Sequence, residues 1–178
     1  EIEIELMIEA THQPISKILS NDLDIAIVTS KPNNESLMSI ELFEDEIFAV
    51  LHKEHFLNEK AFLECDDFRQ IHLIIHSFPL ETVSVYEHYL KPNRITPIKI
   101  TAIPLTEISL EMVNSNMGVI CIPKWALKSF KDYPDFSFKK IGKSGLKRTH
   151  YLVIKKEDRH KKYLNDFIQN IEEEFVEV

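Results

Sequence analysis

IKITAIPLTEISLEMVNSNMGVICIPKWAL, residues 98–127, passes from alternation to helical spacing to a short apolar run, and reading it decides the fold. Ile98, Ile100 and Ala102 alternate with Lys99 and Thr101, which predicts a half-buried strand closed by Pro104, a residue with no N–H for a ladder. Thr106 stands where a helix N-cap belongs, its hydroxyl placed to accept a first-turn N–H, and Glu107 sits at the positive end of the dipole. Ile108, Leu110, Met112, Val113 and Met117 put apolar groups on more than one side, so the predicted helix is buried. Asn116 and Gly118 end it, and Val119–Ile122 reads as a strand covered on both faces before Pro123. Strand, helix and strand in this order leave uncommitted N–H groups at the helix start, where a small anion binds. That spot is Pro104–Glu107, although a threonine that merely caps its helix has the same signature.

Working outward, the N-terminal third repeats the plan. Residues 1–8, EIEIELMI, alternate at period two and predict a strand with one wet face. Thr11 is placed to cap a helix carrying Ile15, Ile18 and Leu19, Asn21 and Asp22 end it, and Ile25–Val28 predicts a second buried strand. The two units superpose without gaps: Thr11 on Thr106, Ile15 on Leu110, Ile18 on Val113, Asn21 on Asn116, Ile25 on Ile120 and Ile27 on Ile122. Two such lobes would each aim a capped helix start at a shared cleft.

Between and beyond these units the pattern changes. KPNNESL, residues 31–37, is turn-rich, and Ser39–Phe43 and Glu46–Leu51 predict two strands broken by an acidic corner at Glu44 and Asp45. Residues 52–68 read as a connector with a short helix. Ile71–Ile75 is another buried strand, and its end, His76 to Pro79, is the second candidate ligand contact. Val83, Tyr86, Tyr89 and Leu90 follow helical spacing, and Trp125–Phe130 predicts a short helix. Phe136–Ile141 and Thr149–Ile154 predict strands on either side of a turn at Gly142–Gly145. Tyr163, Leu164, Phe167, Ile168, Ile171 and Phe175 form one helical stripe. The simplest assembly is a chain that starts one lobe over 1–55, crosses at 56–70, builds a second over 71–145 and returns over 146–178.

Composition sets the limits. With 178 residues, 44% hydrophobic and 28% charged, the chain is long enough for one good core or two small lobes. No apolar run approaches the roughly 20 residues of a membrane span, and no signal peptide opens the sequence, so a cytoplasmic protein with no membrane partner is expected. A net charge of −8 with scattered basic residues argues against nucleic-acid contact by this stretch. Cys65 and Cys121 match no metal or redox pattern and are read as reduced.

An enzyme is the main rival class. His52 with His55, and His72 with His76, have spacings a metal uses, but no third ligand accompanies either pair, so no metal is expected and local hydrogen bonding is the better reading. Nucleophile-elbow and phosphate-loop motifs do not occur, and three glycines leave little for a phosphate cradle. The reading is a binding domain without cofactor and not an enzyme; a solute-binding protein of a transport system is the alternative on the same plan.

SNDLDIAIV (20–28), LFEDEIFAVLHKEH (42–55) and MGVICIP (117–123), in this order of elements, resemble the effector-binding domain of LysR-type transcriptional regulators over nearly the whole chain. IIHSFPLETVSVYEHYLKP (74–92) and residues 103–127 most resemble the branch that activates methionine biosynthesis, whose effector is homocysteine. The resemblance implies an α/β fold of two Rossmann-like lobes, of the type 2 periplasmic-binding-protein class, with a ligand cleft between them. It also implies an N-terminal winged helix-turn-helix, absent from this stretch, through which DNA is bound, and a homodimer or homotetramer that pairs through the 14–19 helix and the central helix. Carried over residue by residue, the effector site falls on Thr11, His12, Thr29, Ser30, Ser77, Phe78, Thr106 and Glu107. Asn stands at 21 and 116 where the family often has Gly, and Phe56 where it often has Pro.

Overall fold

The computed structural model describes residues 3–130 and 133–175. The chain divides into two compact units, Glu1–Glu44 with Arg148–Val178, and Asp45–Lys147. In chain order the elements are α1 (Pro14–Leu19), β1 (Ala26–Val28), β2 (Leu37–His52), β3 (Phe62–Leu63), β4 (His72–Ile75) and β5 (Lys99–Ala102). They continue with α2 (Thr106–Asn114), β6 (Val119–Pro123), β7 (Phe136–Ile141), β8 (Leu146–Lys155) and α3 (Lys162–Phe175). The first crossing falls at the acidic corner Glu44–Asp45, but the strand does not break there. β2 runs on because its later half pairs on both edges, with β6 through Ile47–Val50 and with β7 through Phe48–His52. Residues 56–70, expected as the crossover, lie inside the second unit, where Leu57, Leu63 and Phe68 are buried.

In the first unit β1 pairs antiparallel with β8, Ala26 opposite Val153, and β8 in turn neighbours β2. Period-two alternation sends successive β8 residues to opposite faces. Val153 packs with Ile18 of α1, and Leu152 and Ile154 pack with Ile168 of α3. Two sequence expectations fail here. Glu3–Met7 is irregular, not a strand, and continues into a single helical turn at Ile8–His12, while Glu1 and Ile2 of the expected strand lie outside the described residues. Ile4 and Leu6 are 62% and 82% exposed; alternation specifies a strand only when a neighbour takes its hydrogen bonds, and β1 is paired with β8 alone among the described residues. The second failure is Ile27, 49% exposed on a three-residue strand, where its counterpart Ile122 is 4% exposed.

The second unit is a mixed sheet in the order β3–β7–β2–β6–β4–β5, in which β4 runs parallel to both β5 and β6. Its central strands are covered on both faces. Leu73, Ile75 and Val119 belong to one core with Phe68, Leu90 and Ile95, whereas Ile74, Ile120 and Ile122 belong to another with Leu110 and Val113 of α2. Burying each of those two α2 side chains contributes about 1.5–3 kcal/mol. The 83–90 segment forms a π-helical turn at Tyr86–Leu90 in place of a regular helix.

Candidate functional site

α2 follows β5 and leads into β6, so the chain steps from β4 to β5 on one side and returns over α2 to β6 on the other. The carboxyl ends of parallel strands at such a reversal form the crevice where α/β sheets take ligands. Ile75 is in register with Ala102, and just beyond them the Ile103 N–H donates to the Ile75 carbonyl at 2.8 Å. The segments that follow, His76–Pro79 and Ile103–Leu105, therefore leave the same edge side by side. Ser77 is half-buried and Phe78, which precedes a cis proline, is 56% exposed.

The start of α2 differs from the sequence expectation. Thr106 is the first helical residue, and the N-cap is Leu105, whose side chain makes no capping bond. The first i to i−4 bond is Ser109 N–H to the Leu105 carbonyl at 3.1 Å, so the N–H groups of Thr106, Glu107 and Ile108 have no partner within the helix. Beneath them Ser109, 0% exposed, donates its hydroxyl to the Leu105 carbonyl at 3.3 Å, a second, longer approach reaching the Ile103 carbonyl at 3.5 Å. Sequence reading passed over Ser109 as a helix interior residue, although back-bonding to the i−4 carbonyl is what a buried helical serine does. Glu107 is exposed in this first turn.

In the first unit Thr11 is not a cap either. It belongs to the turn Ile8–His12, and its hydroxyl donates back to the Ile8 carbonyl. α1 starts at Pro14 with Gln13 as N-cap, so the hydroxyl stands two residues before the cap position; proline at the first position set the helix start. Thr11 and His12 are exposed, and Thr29 and Ser30 follow β1, half-buried and exposed. A cavity of about 530 Å³ in this unit lies between Glu3–Met7, the 22–27 loop and α3. None of the eight predicted contacts lines it; its wall joins apolar groups such as Leu6, Ile27 and Phe167 to the acidic residues Glu3, Glu5, Asp22 and Asp24.

His52 and His55 bond within their own turn, and His72 bonds across the sheet. His52 and His55 each accept a backbone N–H at Nδ1, from Glu54 and Leu57, both at 3.2 Å. Burial, reinforced by His52, holds His55 below the ordinary histidine range. His72 bonds Met117 and Thr101. Among the described residues no group of three or more His, Cys, Asp or Glu is placed to hold a metal. Burial pushes the Cys121 thiol up, keeping it protonated, and burial with a bond to Cys65 raises the Tyr89 phenol.

A family comparison decides what this architecture belongs to: the LysR substrate binding domain matches residues 1–176. The chain belongs to that family. Among curated proteins it is similar to the HTH-type transcriptional regulator MetR of Haemophilus influenzae, 28% identical over 170 residues, 96% of this chain and 55% of that protein. It is 22% identical to MetR of Escherichia coli K12 over 96% of this chain and 53% of the relative; the chain thus spans about half the length of these relatives. The regulatory domain of MetR from N. meningitidis superposes with a TM-score of 0.85 at 28% identity, covering 90% of this chain and 76% of that one. The reduced OxyR regulatory domain from Pseudomonas aeruginosa, at 18% identity and a TM-score of 0.69, shares the fold. The chain is a LysR regulatory domain with the α/β, periplasmic-binding-protein-like fold of its family and with MetR regulators as its relatives. Among the described residues no helix is long and apolar enough to cross a membrane.

Proposed function

We propose that this LysR-family domain senses a small amino-acid-like metabolite, homocysteine being the first candidate, and passes its occupancy to a DNA-binding portion of the regulator. The observation that carries the reading is the start of α2: three N–H groups without helical partners, no side-chain cap, and Ser77 and Phe78 leaving the neighbouring strand end. A carboxylate there gains the N–H groups and the helix dipole, with the hydroxyls of Thr106 and Ser77 as further donors. Phe78 offers an apolar surface to the ligand's side chain, and Glu107 is the nearest acid for an ammonium group. The names of the relatives, all transcriptional regulators, favour this over transport or catalysis. Occupancy acts on transcription by favouring one of two arrangements of a homodimer or homotetramer paired through α1 and α2, provided that arrangement binds effector more tightly.

Calorimetry with homocysteine, methionine and unrelated small acids tests the ligand class. Thr106→Val is the discriminating variant. Because its hydroxyl does not cap α2, the substitution is expected to leave the melting temperature within about 2 °C while weakening effector binding about tenfold, as loss of a hydrogen bond to a charged group does. Heat from none of the sulfur amino acids sinks the effector class; unchanged affinity in Thr106→Val removes the α2 start from the site. Thr11, His12, Thr29 and Ser30 enter the same assay as alanine variants.

A further inference from the structure

If α2 presents its first turn to an anion, something must hold the helix at a fixed height and rotation over the sheet. Packing of Leu110 and Val113 on Ile74 and Ile120 holds the helix against the sheet, but it supplies no directional bond along the helix axis. The far end of α2 carries the directional restraint. Asn116, at φ 54°, turns the chain back so that the Met117 N–H bonds the Met112 carbonyl at 2.9 Å and the Asn116 N–H bonds the Val113 carbonyl at 2.9 Å, a Schellman closure. The outgoing Met117 carbonyl then meets His72 Nδ1 at 2.7 Å, and the other ring nitrogen, Nε2, meets Thr101 Oγ1 at 2.8 Å. A carbonyl only accepts, so Nδ1–H donates to Met117, and in the neutral ring Nε2 accepts from the Thr101 hydroxyl. One imidazole on β4 thus joins the end of α2 to β5, the strand that delivers the chain to the start of α2. Gly118 lets the backbone pass this close, since a Cβ there would stand 2.8 Å from the His72 carbonyl oxygen.

We infer that His72 is a positioning residue for the effector site: it pins the carboxyl end of α2 to β4 and β5 and so fixes where the N–H groups of Thr106, Glu107 and Ile108 are aimed. This rests on the α2 reading above, and His72 itself touches no ligand in it. The two bonds of the ring separate by substitution. His72→Asn keeps a donor at the place of Nδ1 and loses the Thr101 contact, His72→Gln keeps the outer nitrogen and loses the Met117 contact, and His72→Phe keeps the ring and loses both.

The experiment is calorimetric titration of the four proteins with homocysteine and with whichever sulfur amino acid the native protein binds best, beside their melting temperatures. His72→Phe and His72→Gln are expected to bind about tenfold more weakly than the native domain, with His72→Asn restoring most of the loss. Affinity must follow the Met117 bond, whatever the order of melting temperatures. Native binding with equal affinity in all four overturns the inference and leaves the α2 site standing. So does an affinity loss that follows melting temperature alone. A native protein that binds no sulfur amino acid overturns the effector class proposed above and this inference with it. Should His72→Phe fail to fold, Thr101→Val and the Asn and Gln variants carry the same comparison, and weaker binding by Asn than by Gln overturns it.

Discussion

At the scale of single residues, two histidines drawn from the two candidate metal pairs, His72 and His55, have distinct structural tasks. His72 ties three segments together, while His55 sits half-buried, accepts the Leu57 N–H and lies against Phe56, the ring centroids 4.4 Å apart and the planes tilted by 30°. Since burial lowers the affinity of His55 for a proton in the folded state, the unfolded chain takes up that proton first as pH falls. The resulting destabilisation is absent well above the usual histidine value of about 6.5, grows as pH drops through it, and is complete below the lowered folded value. His55→Gln, which keeps a polar ring-sized neighbour but cannot titrate, is therefore expected to flatten the fall of the urea midpoint between about pH 7 and 5. An unchanged slope assigns that fall to other groups. Asp22 works in the same direction, at lower pH. A bond to Lys17 and another to Ser20 hold its carboxyl low, so what it contributes is present at neutral pH and is lost only as pH falls through that lowered value.

At the scale of elements, the residues most legible in the sequence were those whose backbone needs leave little choice. Asn21 and Asn116 stand at the predicted helix stops and both adopt the left-handed conformation, φ 65° and 54°. They differ in what the side chain does: Asn21 Oδ1 accepts from Lys155 Nζ at 2.6 Å, whereas Asn116 is exposed at the Schellman turn. Asn116→Gly is thus expected to be neutral within about 0.5 kcal/mol and Asn116→Ala to cost about 1 kcal/mol in urea unfolding, because only the backbone conformation is at stake. Asn21→Gly is expected to lose stability where Asn116→Gly does not, since it also gives up the lysine contact. Equal effects at the two sites would remove any contribution from that contact. Helix starts were less legible. Thr11 and Thr106 carry the cap signature, yet Gln13 and Leu105 occupy the cap positions. A threonine near a helix start fits several phases within one turn. Which phase is adopted depends on Pro14 in one case, and in the other on the burial of Ser109, Leu110 and Val113, which a local pattern does not contain.

At the scale of the whole chain, the strands predicted over Ile71–Ile75 and Val119–Ile122 form within a residue of where they are read, and Phe136–Ile141 forms with the bounds predicted; for the first two, both faces of the second unit's sheet are covered. The alternating N-terminal run forms no strand over its described residues, because alternation fixes which face is wet and says nothing of whether a neighbouring strand exists. The two units differ accordingly: the first has two small cores on the faces of β8, edged by a three-residue β1 and a six-residue α1, and the second has two larger cores separated by one sheet. Amide hydrogen exchange should follow this difference, slowest at Leu73–Ile75 and Val119–Ile122 and fast at Ala26–Val28 and throughout α1, since opening costs least where few apolar contacts must break. The segments of the proposed site, His76–Thr82 and Ile103–Ile108, belong to the fast class in the free protein: they are turns, bends and a first helical turn outside the paired strands. Effector at about 100 times its Kd adds about 2.7 kcal/mol to global stability, which slows by a common factor every amide that exchanges only through unfolding. A site at the start of α2 adds something sharper, a loss of local opening at Thr106, Glu107 and Ile108, whose N–H groups then have an acceptor. Those three amides should show the largest relative slowing in the second unit. Were the slowing uniform across it, or greatest away from residues 76–82 and 103–108, the ligand would bind elsewhere and α2 would be no more than a packed helix.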